Sequence, residues 1–400
     1  VRPIELPLRI LLACAKPWEK DPLNMGRQIR LVTRSLRTAI QQGLVALHPA
    51  LGEEVQPNRL REAIRDVGYH VLHISTHGGF SEDLKRGLVL LEDGAGNAVP
   101  VAINALAEMM RDSTIQLVYL DACQTGISAT DTTSGSLSEV LVQSGASAAI
   151  GMQFSIRDDL ATAFSEAFYH YLMKREPLWH AVTEARIALR DLLGREILDW
   201  AIPVLYIRDG YTLSITGARQ AGQRYGRTDP PSPFVGRQEQ LDEFADKLLR
   251  PSTRVVIVHG FGGIGKSTLV RKTLSEIELL FDDSCFADCR GVKEITQIIP
   301  KLNAMLSMNG VPILDERLQS LSEQGKLEYV CEQLDKGNFL VALDNIDEMQ
   351  DNPSTNQFLD LAEKLTRAKV IIACRIPSGP PTYQQQLRVI ALDPKHAVEM

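Results

Sequence analysis

No apolar run in the sequence approaches the roughly 20 residues that a membrane helix needs, which excludes a helical membrane span. The first residues, Val1 to Pro7, lack the apolar core of a signal peptide. Positive charge is not in excess. The net charge is −7, with 43 basic and 50 acidic side chains, so nothing here attracts nucleic acid or an anionic membrane surface. The six cysteines (Cys14, Cys123, Cys285, Cys289, Cys331 and Cys374) are too scattered for a disulfide framework. They read as free thiols in a reducing cytoplasm. Cys285 and Cys289 stand four apart without a second ligand pair, which argues against zinc. What remains is ordinary globular composition, 44% hydrophobic and 23% charged, and 400 residues predict two or three domains. A chain opening on Val1 reads as a fragment.

The most specific motif lies past the middle. Val255 to Val258 is short and apolar, as a buried strand is, and Gly260-x-x-x-x-Gly265-Lys266-Ser267 follows. Residues 269–274 then read as a helix. Strand, glycine loop and helix in that order form a phosphate-binding loop. Gly260, Gly262, Gly263 and Gly265 let the backbone turn tightly, so that its N–H groups, those of Ile264 and Thr268 among them, face phosphate oxygens. The helix N-terminus adds partial positive charge. Lys266 supplies a full charge for the β- and γ-phosphates, and the Ser267 hydroxyl is placed to ligate Mg²⁺.

The first half alternates strands and helices, which predicts a mainly parallel sheet with helices on both faces. Strands are expected at Leu6–Cys14, within 69–76, at 88–91 and at Ile115–Leu120. A helix capped by Asp21 or Asn24 is expected to run to about Leu47, and others over 59–67, 104–111, 160–171 and 178–193, the last two with core-facing apolar stripes. Such sheets carry function at the carboxyl ends of their strands. His77, before Gly78 and Gly79, and Cys123, within Asp121-Ala122-Cys123-Gln124-Thr125-Gly126, both fall there. In this pairing His77 would hold Cys123 as thiolate and later protonate a leaving amine. The N–H groups of Gly78 and Cys123 would steady a tetrahedral oxyanion. The plainer alternative is a buried structural cysteine and a hydrogen-bonded histidine. His73, four residues before His77, would share its face in a continuous strand and is either an accessory base or a packed histidine. The polar stretch Thr125 to Ser138 reads as a loop beside the site.

His77-Gly78-Gly79 and Asp121 to Gly126, each after a β-run and in this order, resemble the CHAT family, a caspase-like branch of the cysteine peptidases. The 46-residue separation of the pair is close to the caspase spacing of about 50. Residues 8–17, 144–151, 168–169 and 199–206 extend the likeness over nearly all of 5–210. The resemblance implies a peptidase acting on protein and, through Asp121, a pocket for a basic side chain. The alternative is that Asp121 only anchors the strand-end loop.

Residues 217–233, rich in Gly and Pro and without apolar periodicity, read as a linker. Phe234, Val235, Gly236 and Arg237 then lead into a helix over 240–249. Phe339 to Leu343 is an apolar strand ending in Asp344, placed to hold Mg²⁺. Lys369 to Ala373 is another strand, leading to Cys374 and Arg375. These motifs resemble a STAND-class ATPase of NB-ARC type over 234–400, with NACHT as the sister possibility. The resemblance implies that Val235, Gly236 and Arg237 meet adenine, that Arg375 reads the γ-phosphate, and that 392–394 opens a further helical subdomain. Asn345 stands where many relatives carry a second acid, which leaves the hydrolytic base unassigned and implies slow turnover.

Taken together, the resemblances imply a 4–216 peptidase, a 217–233 linker and a 234–400 P-loop ATPase domain, α/β throughout. They describe a signalling protein of prokaryotic defence or regulated cell death. ADP would hold it closed. ATP exchange, prompted by a trigger read in missing C-terminal repeats, would drive self-oligomerisation and peptidase activity. Alternatives are a nucleotide-gated scaffold with a pseudopeptidase, and a STAND transcription regulator.

Overall fold

The computed structural model describes residues 3–15, 17, 25–81, 86–121, 137–143, 145–154, 156–193, 198–211, 213, 215–216, 224–226, 228, 231, 234–349, 351–376 and 386–390. The chain divides into two compact units, Val1–Ala221 and Gly222–Met400.

In the first unit, β1 (Ile4–Glu5) leads into β2 (Leu8–Cys14), α1 (Met25–Ser35), α2 (Arg37–Gln41) and β3 (Val45–Leu51). Next come α3 (Pro57–Asp66), β4 (Val71–Ser75), and the antiparallel β5 (Gly78–Ser81), β6 (Arg86–Glu92) and β7 (Ala98–Ala102). They are followed by α4 (Ile103–Met109), β8 (Leu117–Asp121), α5 (Leu137–Gln143) and β9 (Ala148–Met152). The unit closes with α6 (Asp158–Met173), α7 (Leu178–Leu193), β10 (Pro203–Ile207) and β11 (Ile215–Thr216), which pairs with β1. The main sheet runs β10-β9-β8-β4-β2-β3 and is parallel except where β10 meets β9. Strand alternation sends Leu72 and Ile74 into a core shared with Leu60, Ile64, Leu106 and Leu141 from α3, α4 and α5. The other face carries His73 and Tyr119 against the α6 aromatics Phe164, Phe168 and Tyr169.

The stretch expected as one helix to Leu47 is three elements. Gly43 takes a left-handed φ of 68° and ends α2, with the Leu44 N–H donating to the Ala39 carbonyl at 2.8 Å. Val45 and Leu47 then alternate inward on β3, an edge strand parallel to β2, where Pro49 is tolerated. Apolar periodicity alone could not separate a short edge strand from the end of a helix. The proposed caps Asp21 and Asn24 lie outside the described residues. Ser138, expected in a polar loop, is a buried residue of α5.

The second unit starts with α8 (Gln238–Leu249), β12 (Val255–His259), α9 (Lys266–Ile277) and β13 (Asp283–Asp288). It continues through α10 (Ile299–Met308), α11 (Asp315–Gln319), α12 (Glu323–Leu334) and β14 (Phe339–Asp344), then α13 (Pro353–Ala362), β15 (Lys369–Cys374) and β16 (Gln386–Arg388). Its sheet is parallel throughout, in the order β13-β14-β15-β12-β16. β12, β14 and β15 are near-continuous apolar runs, as strands covered on both faces must be. Helices α10, α12 and α13 cover one face around Leu302, Met305, Leu334 and Phe358.

Candidate functional site

In the second unit the glycine loop joins β12 to α9. Gly260 has φ 152°, and a Cβ there would stand 2.7 Å from the Val389 carbonyl oxygen. Gly265, at φ 99°, is the N-cap of α9 in the left-handed region that side chains avoid. Both positions therefore require glycine, one for closeness and one for conformation. The Lys266 ammonium donates to the carbonyls of Gly260 at 2.8 Å and Phe261 at 3.0 Å, so it is folded over the loop. Ser267 and Thr268 form the first turn of α9, and Ser267 hydrogen-bonds the Asp344 carboxylate.

Asp344 ends β14 and is only 2% exposed. Burial raises its pKa, with the Ser267 hydrogen bond opposing. Its Oδ1 has no hydrogen-bond partner among the described residues. An orphaned carboxylate oxygen beside a serine hydroxyl is the donor set that a hard divalent cation takes. The residues present thus fit Mg²⁺, held by Ser267 and Asp344.

Val235 and Gly236 precede α8, Gly236 at φ 70°. Arg237 is buried. Its guanidinium donates to the Ile264 carbonyl at 2.5 Å, the Ile390 carbonyl at 3.0 Å and Gln240 Oε1 at 2.6 Å. The side chain assigned by resemblance to adenine thus braces the phosphate loop. Arg375 follows β15, and its guanidinium lies 3.7 Å from where a Cβ on Gly262 would stand. Gly263 at φ 73° has open space around it.

Asn345, in the left-handed conformation at φ 59°, donates to Asp288 Oδ1 at 3.1 Å. Asp288 is also bonded by Arg290, and these bonds lower its pKa to about 2. Glu348 accepts from the Gly291 N–H at 3.4 Å, and Asp347 is engaged by Arg375. Each acid near Asp344 therefore already has a partner.

In the first unit, β4 and β8 are parallel neighbours with Ser75 level with Asp121. His77 follows two residues after Ser75 and, with Gly78, Gly79, Leu88, Leu90 and Pro100, lines an open cleft of about 430 Å³. The His77 carbonyl accepts from the Leu90 N–H at 2.9 Å, tying the residue to β6. Cys123 lies outside the described residues, as do all positions from 122 to 136. Asp121 accepts from Gln28 Nε2 at 2.9 Å and lies 3.5 Å from Ser75 Oγ, so its carboxylate is already tied to α1 and β4.

His73 does not share the environment of His77. β4 ends at Ser75, so the pleat that would align the two is broken. His73 is fully buried, stacks 4.1 Å from Tyr119 and pairs through Nδ1 with the Tyr169 hydroxyl at 3.0 Å. Burial lowers its pKa to about 3, which makes it a neutral core residue. The cysteines other than Cys123 are buried as well. Burial lifts the thiol of Cys285 to about 11 and those of Cys289, Cys331 and Cys374 to about 12, making them poor nucleophiles at neutral pH.

Sequence reasoning assigned no role to Gln28, to Asp347 or to the buried Asp283. Of these only Asp347, three residues past a strand-ending aspartate, carried a signal.

A parallel sheet with a glycine loop, lysine, serine and a facing aspartate at adjacent strand ends defines a P-loop nucleotide-binding domain, preceded here by a separate α/β unit. The NB-ARC domain model matches residues 237–399 and the CHAT domain model residues 19–208, so the chain joins a CHAT domain to an NB-ARC domain. No curated protein matches the chain. Solved structures that match include the Aeropyrum pernix ORC1 protein in complex with DNA, at 14% identity and TM-score 0.32, over 40% of this chain and 46% of that one. Cdc6p from Pyrobaculum aerophilum matches at 16% identity and TM-score 0.32, over 41% and 48%. C. elegans PCH-2 matches at 10% identity and TM-score 0.22, over 35% and 36%. The chain spans less than half the length of these structures. No described helix is long and apolar enough to cross a membrane.

The domain pair sets a caspase-like module before a nucleotide-binding one.

Proposed function

We propose that the NB-ARC domain is an ATP/ADP switch controlling a caspase-like cysteine endopeptidase, with Cys123 as nucleophile and His77 as its base. The observation that carries the peptidase reading is the level pairing of Ser75 with Asp121 on adjacent strands. In the sequence His77 and Cys123 each follow two residues beyond that pair, which supports reading them as one dyad. His77 takes the Cys123 proton, the thiolate attacks the scissile carbonyl, and the Gly78 and Cys123 N–H groups steady the oxyanion. His77 then returns the proton to the leaving amine, and water releases the acyl group from sulfur. The Gln28–Asp121 bond gives the pocket side of this reading a constraint: a basic substrate side chain would share that carboxylate with Gln28.

In the switch, Mg²⁺ supplies charge neutralisation for the nucleotide phosphates when bound. Lys266 and the loop N–H groups hold the phosphates, and Ser267 and Asp344 hold the ion. With the acids around Asp344 already partnered, slow hydrolysis is expected, which suits a switch more than a motor. ATP-driven self-association would gather the peptidase domains onto a protein substrate in the cytoplasm, in a defence or cell-death setting.

The test is labelling by a peptidyl electrophile with a basic side chain, with ATP, with ADP and with neither. Labelling at Cys123 that requires His77 and rises several-fold with ATP is the expected result. Labelling indifferent to His77→Ala would remove the peptidase reading, and labelling indifferent to nucleotide would remove the switch.

A further inference from the structure

Arg375 and Asp347 form a contact that the proposed chemistry uses only to account for slow hydrolysis. Asp347 Oδ1 accepts the Arg375 backbone N–H at 2.6 Å, and its Oδ2 lies 3.8 Å from Arg375 Nε. The Arg375 side chain is 70% exposed and that of Asp347 27%. The sheet order places β15 between β14 and β12. His259 is level with Cys374, and Asp344 is level with Ala373. Arg375 therefore emerges between the phosphate loop and the cation-binding carboxylate, against Gly262. If the inner phosphates of a nucleotide sit on the loop, a cation at that point would face the outermost one, the role that the NB-ARC resemblance implies for Arg375.

We propose that Asp347 is a latch on Arg375: it competes with the third phosphate for the guanidinium and so sets the preference between nucleoside triphosphate and diphosphate. The inference rests on the nucleotide-binding reading above. The two ties differ in strength and purpose. The short backbone bond fixes the residue's place, whereas the exposed, long side-chain pair is weak and screened. A weak pair is what a latch requires, because the guanidinium can leave when a triphosphate arrives. A diphosphate offers no competing anion at that position and leaves the pair closed. Asp347 is thus a specificity-determining residue acting through Arg375, with no contact to the reacting atoms.

Asp347→Asn isolates the latch. The amide oxygen still accepts the Arg375 N–H while the ion pair is lost. Affinities for ADP and for a non-hydrolysable ATP analogue are measured by calorimetry on the whole chain, with Glu348→Gln as a control for removing a nearby charge. The expected result is a gain of about three- to five-fold for the ATP analogue, the scale of an exposed ion pair, with less than about two-fold for ADP. In an Arg375→Ala background the same substitution is expected to change nothing. Equal gains for both nucleotides, gains matched by Glu348→Gln, or a gain persisting without Arg375 would overturn the latch and leave the nucleotide site standing. No binding of either nucleotide to the unaltered protein would overturn the nucleotide reading, and the latch with it.

Discussion

His73 and His77 stand four residues apart and have opposite environments. Period-two reasoning puts them on one face, but it holds only while the strand continues, and β4 stops at Ser75. His73 is consequently stacked on Tyr119 and buried, with its Nε2 unpartnered among the described residues. Its folded pKa, about 3, lies below the unfolded 6.5. Between those values the unfolded chain binds the proton and the folded chain does not. Stability from this residue is therefore full above about 6.5 and falls as pH drops towards 3. Acidification from pH 6 to 5 is expected to cost about 1 kcal/mol through this one group. Urea unfolding of the chain and of His73→Asn at both pH values checks it: the variant should lose less stability on acidification. Equal pH dependence in the two proteins would mean that His73 is not the proton acceptor. The residue type and its strand were legible in the sequence. Its environment was not, because that depends on the Tyr169 hydroxyl brought in from α6, 96 residues away.

At the scale of elements, the informative segment is the one, 217–233, whose composition reads as a linker. Its described residues 224–226 and 228 are bound into the second unit. Asp283, fully buried at the start of β13, accepts from the N–H groups of Tyr225 at 2.7 Å, Gly226 at 2.8 Å and Ser284 at 2.8 Å, and from Asn309 Nδ2 at 2.9 Å. Arg224 donates to the Glu278 carbonyl at 2.7 Å, and the Thr228 N–H to Glu278 Oε2 at 3.1 Å. Gly226 lies so close to β13 that a Cβ would fall 2.1 Å from the Ser284 carbonyl oxygen. Asp283→Ala is expected to strand four donors, one buried and three part-buried, and to cost about 2–4 kcal/mol. Urea unfolding measures the loss, and hydrogen exchange should show faster exchange at Tyr225 and Gly226. Unchanged protection there would show that the carboxylate does not hold the segment. Composition could not reveal this docking, because its donors are backbone N–H groups that every linker has and its acceptor lies more than 50 residues onward. The strands β12, β14 and β15 were by contrast legible as apolar runs, since a strand covered on both faces has no polar positions to conceal it.

For the whole molecule, the question is whether two units with separate cores respond to one ligand. Each has its own sheet and its own buried cluster, so each can unfold in its own transition. A nucleotide that binds only the folded second unit stabilises that unit by about 2.7 kcal/mol at a hundred times its dissociation constant. Differential scanning calorimetry with Mg²⁺–ADP is therefore expected to raise one transition by several degrees, and Lys266→Ala, which removes the charge folded over the loop, should abolish the shift. The other transition carries the test of control. A ligand changes a distant site only through a difference in its affinity for two states of the chain. If ADP holds the peptidase inactive through contact between the units, both transitions must move together with ADP, and ATP must separate them. A first-unit transition unmoved by either nucleotide would place control in self-association instead. In that case Cys123 labelling should rise steeply with protein concentration in the presence of ATP.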